Sequence, residues 1–130
     1  SLLMEERLSK DFAIVFVGDF MSYVVVFMTT SNKEEAVKIV RILLKEKLIA
    51  CANILGPVSS LFWWQGKIDE ADEFLVFMKS HEKRFERLSE KVREIHSYEV
   101  PEIIALPIIE GSPPYLDWLK ASLQPVGKNG

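Results

Sequence analysis

Cysteine is nearly absent: Cys51 stands alone in 130 residues. One thiol cannot close an internal disulfide, so packing has to hold the fold, which suits a reducing, cytoplasmic setting. Long apolar runs are missing as well. None approaches the roughly 20 residues a membrane span needs, and Leu2–Met4 is too short for the apolar stretch of a signal peptide. There is no basic excess. The net charge is −3 and the pI about 5.4, against a nucleic-acid partner, which needs a concentrated positive surface. Gly18, Gly56, Gly66 and Gly111 are isolated, so no glycine-rich loop cradles phosphate. The serines, histidines and aspartates form no nucleophile elbow. No repeat at solenoid spacing is present. The reading is of a binding or assembly protein with no catalytic residues.

What is present is apolar material for one core. Hydrophobic residues make up 48% and charged residues 27%, which suits a single domain of this length. Residues 1–20 differ from the rest. They read either as a non-native upstream segment or as an extra strand that covers an edge. The domain proper is expected over 21–123, with 124–130 as a tail.

Tyr23–Met28 (YVVVFM) is an unbroken run suited to a strand buried on both faces. Ser31, three residues before Glu34, has capping-box spacing. The helix it opens is expected to reach about Lys47, with Ala36, Val37, Val40, Leu43 and Leu44 on one stripe. Ile49–Leu55 reads as a strand, Gly56-Pro57 as a turn or bulge, and Val58–Gln65 as more strand. Gly66-Lys67 turns the chain into Lys67–Lys79, completing a long hairpin. Ser80 is expected to cap a helix over His81–His96, with Phe85, Leu88, Val92 and Ile95 inward. Pro101 stops it. Ile103–Ile109 is a last strand, placed at an edge by Pro107, which has no N–H to donate. Ser112 before Pro113-Pro114 starts a short helix, Tyr115–Leu123, with Leu116, Leu119 and Trp118 inward.

The order β-α-β-β-α-β plus a helix predicts an α+β, ferredoxin-like fold: an antiparallel sheet with two helices on one face. Trp63 and Trp64 are neighbours on a strand, so they point to opposite faces and cannot share a core. A lone domain this apolar would expose a large patch, which usually marks an interface. An oligomer follows.

Leu48–Asn53 (LIACAN), Ser60–Ile68 (SLFWWQGKI), His96–Gly111 (HSYEVPEIIALPIIEG) and Tyr115–Leu119 (YLDWL) together resemble the CutA family of divalent-cation tolerance proteins. The resemblance covers about residues 21–123. It implies a ferredoxin-like homotrimer that binds divalent cations, copper above all, with no catalysis and no metal required for folding. A role like that of the PII signalling proteins is the alternative, with a small anion or a partner protein in place of metal. Neither nucleic acid nor membrane is implied as a partner.

Cys51 matches the family's strand cysteine and His96 its histidine before Tyr-Glu-Val-Pro-Glu. A thiolate and an imidazole suit copper or zinc, and Glu102 is a carboxylate to complete such a site. Trp64, Lys67, Glu73, Tyr98, Glu99 and Tyr115 are the expected walls of an inter-subunit cleft. The ordinary readings stay open beside these. Cys51 is also a small strand hydrophobe, His96 a helix-end residue favoured by the dipole, the glutamates solvated edge charges, and the tyrosines packing. Met28 and Ile95 stand where some bacterial members carry a further cysteine and histidine.

Overall fold

The computed structural model describes residues 23–125. The expected N-terminal segment 1–20 and most of the expected tail lie outside them. In chain order the elements are β1 (Tyr23–Thr30), α1 (Lys33–Lys45), β2 (Cys51–Trp64) and β3 (Lys67–His81). A 3-10 turn follows (Glu82–Arg84), then α2 (Phe85–Ile95), β4 (Ile104–Pro107) and α3 (Pro113–Ser122). The four strands form one antiparallel sheet in the order β2-β3-β1-β4. This is the predicted ferredoxin-like arrangement, with β4 and Pro107 at an edge.

Strand β1 explains how the sheet divides space. Val24, Val26 and Met28 are buried, while Tyr23, Val25 and Phe27 between them are half-buried. The expected burial on both faces is therefore not met among the described residues. One face takes the helices, and the other is only partly covered. On the covered face Ala36, Ile39, Val40 and Leu43 of α1 meet Leu88 and Val92 of α2, together with Val76 and Met78 of β3. The stripe on α1 is rotated from the one expected: Ile39 replaces Leu44, which is 37% exposed. Phe85 and Ile95 pack against the same core from α2.

Helix ends show where local chemistry acted. The α1 cap is Asn32, whose Oδ1 accepts the Glu35 N–H at 2.7 Å, so the expected Ser31 cap is displaced by one residue. Lys47 leaves the helix at φ 61°. The Leu48 N–H reaches the Leu43 carbonyl at 2.9 Å and the Lys47 N–H reaches that of Leu44 at 3.0 Å. This is a Schellman closure with lysine where glycine is usual. Ser80 does not cap a helix. It is buried on β3, and its hydroxyl donates to the Leu48 carbonyl at 2.7 Å. His81 caps the 3-10 turn instead, its side chain accepting from the Lys83 N–H. Helix α3 begins at Pro113, and Trp118 is 46% exposed, not inward as expected; Leu119 is the buried residue.

The hairpin turns at Gln65-Gly66, both at positive φ (50° and 80°), one residue before the expected Gly66-Lys67. Both values suit the twist of a two-residue hairpin connection. The expected bulge lies between Leu55 and Val58. A Cβ on Gly56 would come within 2.6 Å of the Phe74 ring, so glycine is required there. Beyond Phe74, β1 no longer pairs with β3, and the hairpin continues as a two-stranded arm. Leu61 (66%), Trp63 (73%), Trp64 (58%) and Ile68 (67%) are all exposed on it. The two tryptophans point to opposite faces, and neither face is covered by the described residues. An isolated two-stranded ribbon is marginal in water.

The capping assignment is testable. Asn32→Ala should cost about 1 kcal/mol of stability and Ser31→Ala less than half of that, measured by urea unfolding. Equal costs would show that Asn32 is not the cap.

Candidate functional site

The segment after α2 is held by His96. Its backbone N–H closes the helix on Val92 at 2.8 Å. Its buried ring then makes two bonds. Nδ1 accepts the Tyr98 N–H at 2.9 Å, and Nε2 donates to the Thr29 carbonyl at 2.8 Å. The acceptor role at Nδ1 identifies the Nε2–H tautomer. The ring thus ties the loop to the end of β1. A metal at either nitrogen would displace one of these bonds, so the chain does not present His96 as a free ligand.

Glu35 ties the same loop to α1. Its carboxylate accepts the Ser97 N–H at 2.7 Å and the Ser97 hydroxyl at 2.9 Å. Glutamate three residues into a helix usually reaches back to its own cap; here it reaches out to a loop 62 residues away. Sequence reasoning passed over Glu35, Ser97 and Thr29. The only local signal was a glutamate at that position of α1.

With the loop so placed, Tyr98 covers β3 just where β1 has ended. Its hydroxyl donates to Glu73 Oε2 at 2.6 Å, and its ring lies 4.8 Å from that of His96. Glu73 is buried, at 8% exposure. Burial, then the bond to Glu73, push the Tyr98 phenol well above its ordinary value. Tyr98 and Glu73 are thus brought together within one chain.

Cys51 lies elsewhere. It pairs with Lys79 on β3, whereas Thr29, which His96 touches, pairs with Leu75. Four residues of strand separate the two levels, about 13 Å. Cys51 is half-buried, and its Sγ is 3.5 Å from the Tyr115 hydroxyl. That contact, then burial, raise the Tyr115 phenol to about 12. Glu99 and Glu102 are exposed. Trp64 and Lys67 face each other at the hairpin tip, six residues or about 20 Å along β3 from Glu73. Met28 is fully buried. Among the described residues no group of three His, Cys, Asp or Glu side chains converges to hold a metal ion. A single chain therefore assembles two separate pairs, Glu73–Tyr98 and Cys51–Tyr115, and not the whole expected cleft.

Two outcomes follow. Tyr98→Phe leaves a buried carboxylate short of its donor and should cost about 1.5–3 kcal/mol; an unchanged unfolding midpoint would remove the bond from the account. Both phenols are held protonated in the fold, so their contribution is complete below about pH 10; that of Tyr115 is lost as pH rises toward 12, and that of Tyr98 declines over the same range and beyond it. In a Tyr98→Phe background, Cys51→Ala should lower the alkaline phenolate transition seen by ultraviolet absorbance. A transition that stays in place would exclude the Cys51 contact as its main cause.

No helix among the described residues is long and apolar enough to cross a membrane. Residues 24–122 match the model of the CutA1 divalent ion tolerance protein family. The divalent-cation tolerance protein CutA of Thermus thermophilus is 44% identical over 96 residues, which is 74% of this chain and 93% of that protein. The chloroplastic protein CutA 1 of rice is 42% identical over 99 residues, 76% of this chain, but the chain spans only 56% of its length. Among solved structures, the periplasmic divalent cation tolerance protein CutA of Archaeoglobus fulgidus superposes with a TM-score of 0.76 at 38% identity, over 78% of this chain and 99% of that one. Rice CutA1 superposes with a TM-score of 0.76 at 41% identity, over 78% and 94%. Chloroplastic and periplasmic names in one set of relatives mean that the compartment does not follow from the fold, and the cytoplasmic expectation gains no support from them. On sequence and structure together, this chain belongs to the CutA1 divalent ion tolerance family.

Proposed function

We propose that this chain works as a homotrimer in the response to divalent metal ions, binding the ion, copper foremost, by donors from more than one subunit. It acts by binding and not by catalysis. The observation that carries this reading is the position of Cys51. The chain's one thiol is half-buried on the sheet face that the two core helices leave uncovered. A second copy docked there would bring further donors to it. Glu102 is exposed and suited to serve as a carboxylate ligand across such a junction. His96 supports the site by holding the Tyr98 loop in place. The exposed apolar arm of β2 and β3 supports self-association, because covering it removes Trp63, Trp64, Leu61 and Ile68 from water. A thiolate ligand calls for a reducing compartment, which favours the cytoplasm.

A second reading rests on the exposed apolar arm alone, which calls for a partner and no metal: a PII-like regulator or scaffold, in which the junction takes a small anion or a partner protein.

Calorimetric titration with copper on the full chain separates the two. Cys51→Ser should weaken binding at least about tenfold, and native mass spectrometry should show a trimer that carries copper. A trimer that takes up no copper supports the second reading. Copper binding that is unchanged in Cys51→Ser sinks the ligand assignment.

A further inference from the structure

A second recess lies at the end of the sheet away from Glu73. Tyr23 and His81 pair across β1 and β3, with their rings edge to face at 5.1 Å. Together with Lys83, Arg84, Lys120 and Gln124 they line a recess of about 380 Å³, within the size range of small-molecule pockets. Eight residues of β3, about 25 Å, separate it from Glu73, and two, about 7 Å, from Lys79, the strand partner of Cys51; because it would take an anion and not a cation, its test stays distinguishable from that of the metal reading.

The charges in the recess are one-sided. Among the described residues that line it, three side chains are cationic and none is acidic, in a chain whose net charge is −3. They come from two elements: Lys83 and Arg84 from the 3-10 turn, Lys120 from the last turn of α3. Arg84 has a structural partner, since Nη2 donates to the Leu123 carbonyl at 2.7 Å. Lys47 similarly reaches the Ser122 carbonyl at 3.2 Å. Those two cations answer the carbonyl end of α3. The Lys83 and Lys120 ammonium groups are not needed for that task. Two like charges brought to one recess repel each other until an anion lies between them.

His81 adds a directed donor. Its Nδ1 accepts the Lys83 N–H at 3.0 Å, which leaves Nε2 as the protonated nitrogen. Burial lowers its pKa below the ordinary 6.5; Glu82 opposes this, and Lys83 and Arg84 add to it. The ring is therefore uncharged near pH 7 and contributes a hydrogen bond, not a further charge. Two point charges from separate elements, with a fixed N–H beside them, suit a multiply charged tetrahedral anion, for which lysine is a common partner.

We propose that this recess binds a small phosphate-bearing anion, with Lys83 and Lys120 as the charge pair and His81 as a neutral donor. The test is calorimetric titration of the full chain with inorganic pyrophosphate, and separately with adenosine diphosphate, at low ionic strength, where screening is weak. Saturable binding of either at one site per chain is expected. The preferred probe then tells a bare phosphate from a nucleotide. The Lys83→Gln/Lys120→Gln double variant should bind at least about tenfold more weakly, and each single variant should show part of that loss. Both lysines are exposed, so the thermal unfolding midpoint should not move. Absence of saturable binding of both probes by the wild type overturns the proposal. So does affinity that survives in variants with an unchanged midpoint.

Discussion

A strand sends alternate side chains to opposite sides, and this chain has two core helices for only one of them. That mismatch governs the structure. Val24, Val26 and Met28 of β1 and Val76 and Met78 of β3 are buried by α1 and α2. The alternate rows are left to whatever else can reach them. Helix α3 meets part of the need, with Tyr115 against Cys51. The arm beyond Phe74 has no such cover among the described residues, and its tryptophans are exposed on both faces. Burying a large aromatic side chain stabilises by a few kcal/mol, so a surface of this kind favours association.

The loop after α2 is the second consequence. Where β1 ends, the sheet leaves a buried carboxylate, Glu73, with β2 on one side and no strand on the other. A buried carboxylate without a donor is costly. Tyr98 supplies the donor, and His96 and Glu35 hold Tyr98 in position through three elements distant in sequence. The histidine that looks like a ligand on chemical grounds is, within the chain, a polar tie with both nitrogens occupied. Its importance to a site would then be exercised through the loop it fixes.

Polar ends of elements decide the rest of the surface chemistry. The carbonyl end of α3 gathers Lys47 and Arg84, and the turn that supplies Arg84 also supplies Lys83. A basic recess in an acidic chain thus follows from capping a helix. No count of charges along the sequence would have revealed it, because its cations lie at positions 83, 84 and 120.

The sequence by itself determined the element order, the antiparallel plan, the edge position of Pro107, the bulge at Gly56-Pro57 and the opposed tryptophans. These depend on short-range rules: side-chain period, the missing proline N–H, and glycine where a ring approaches. Family membership was legible in the same stretches, notably His96–Gly111. Only the tertiary structure decided which neighbour served as a cap. Asn32 displaced Ser31, and Ser80 was drawn into the strand by the Leu48 carbonyl. It also decided that Cys51 and His96 stand at different levels of the sheet, and that Glu35 reaches Ser97. Those outcomes depend on strand register and loop closure between residues tens of positions apart, which local spacing does not encode.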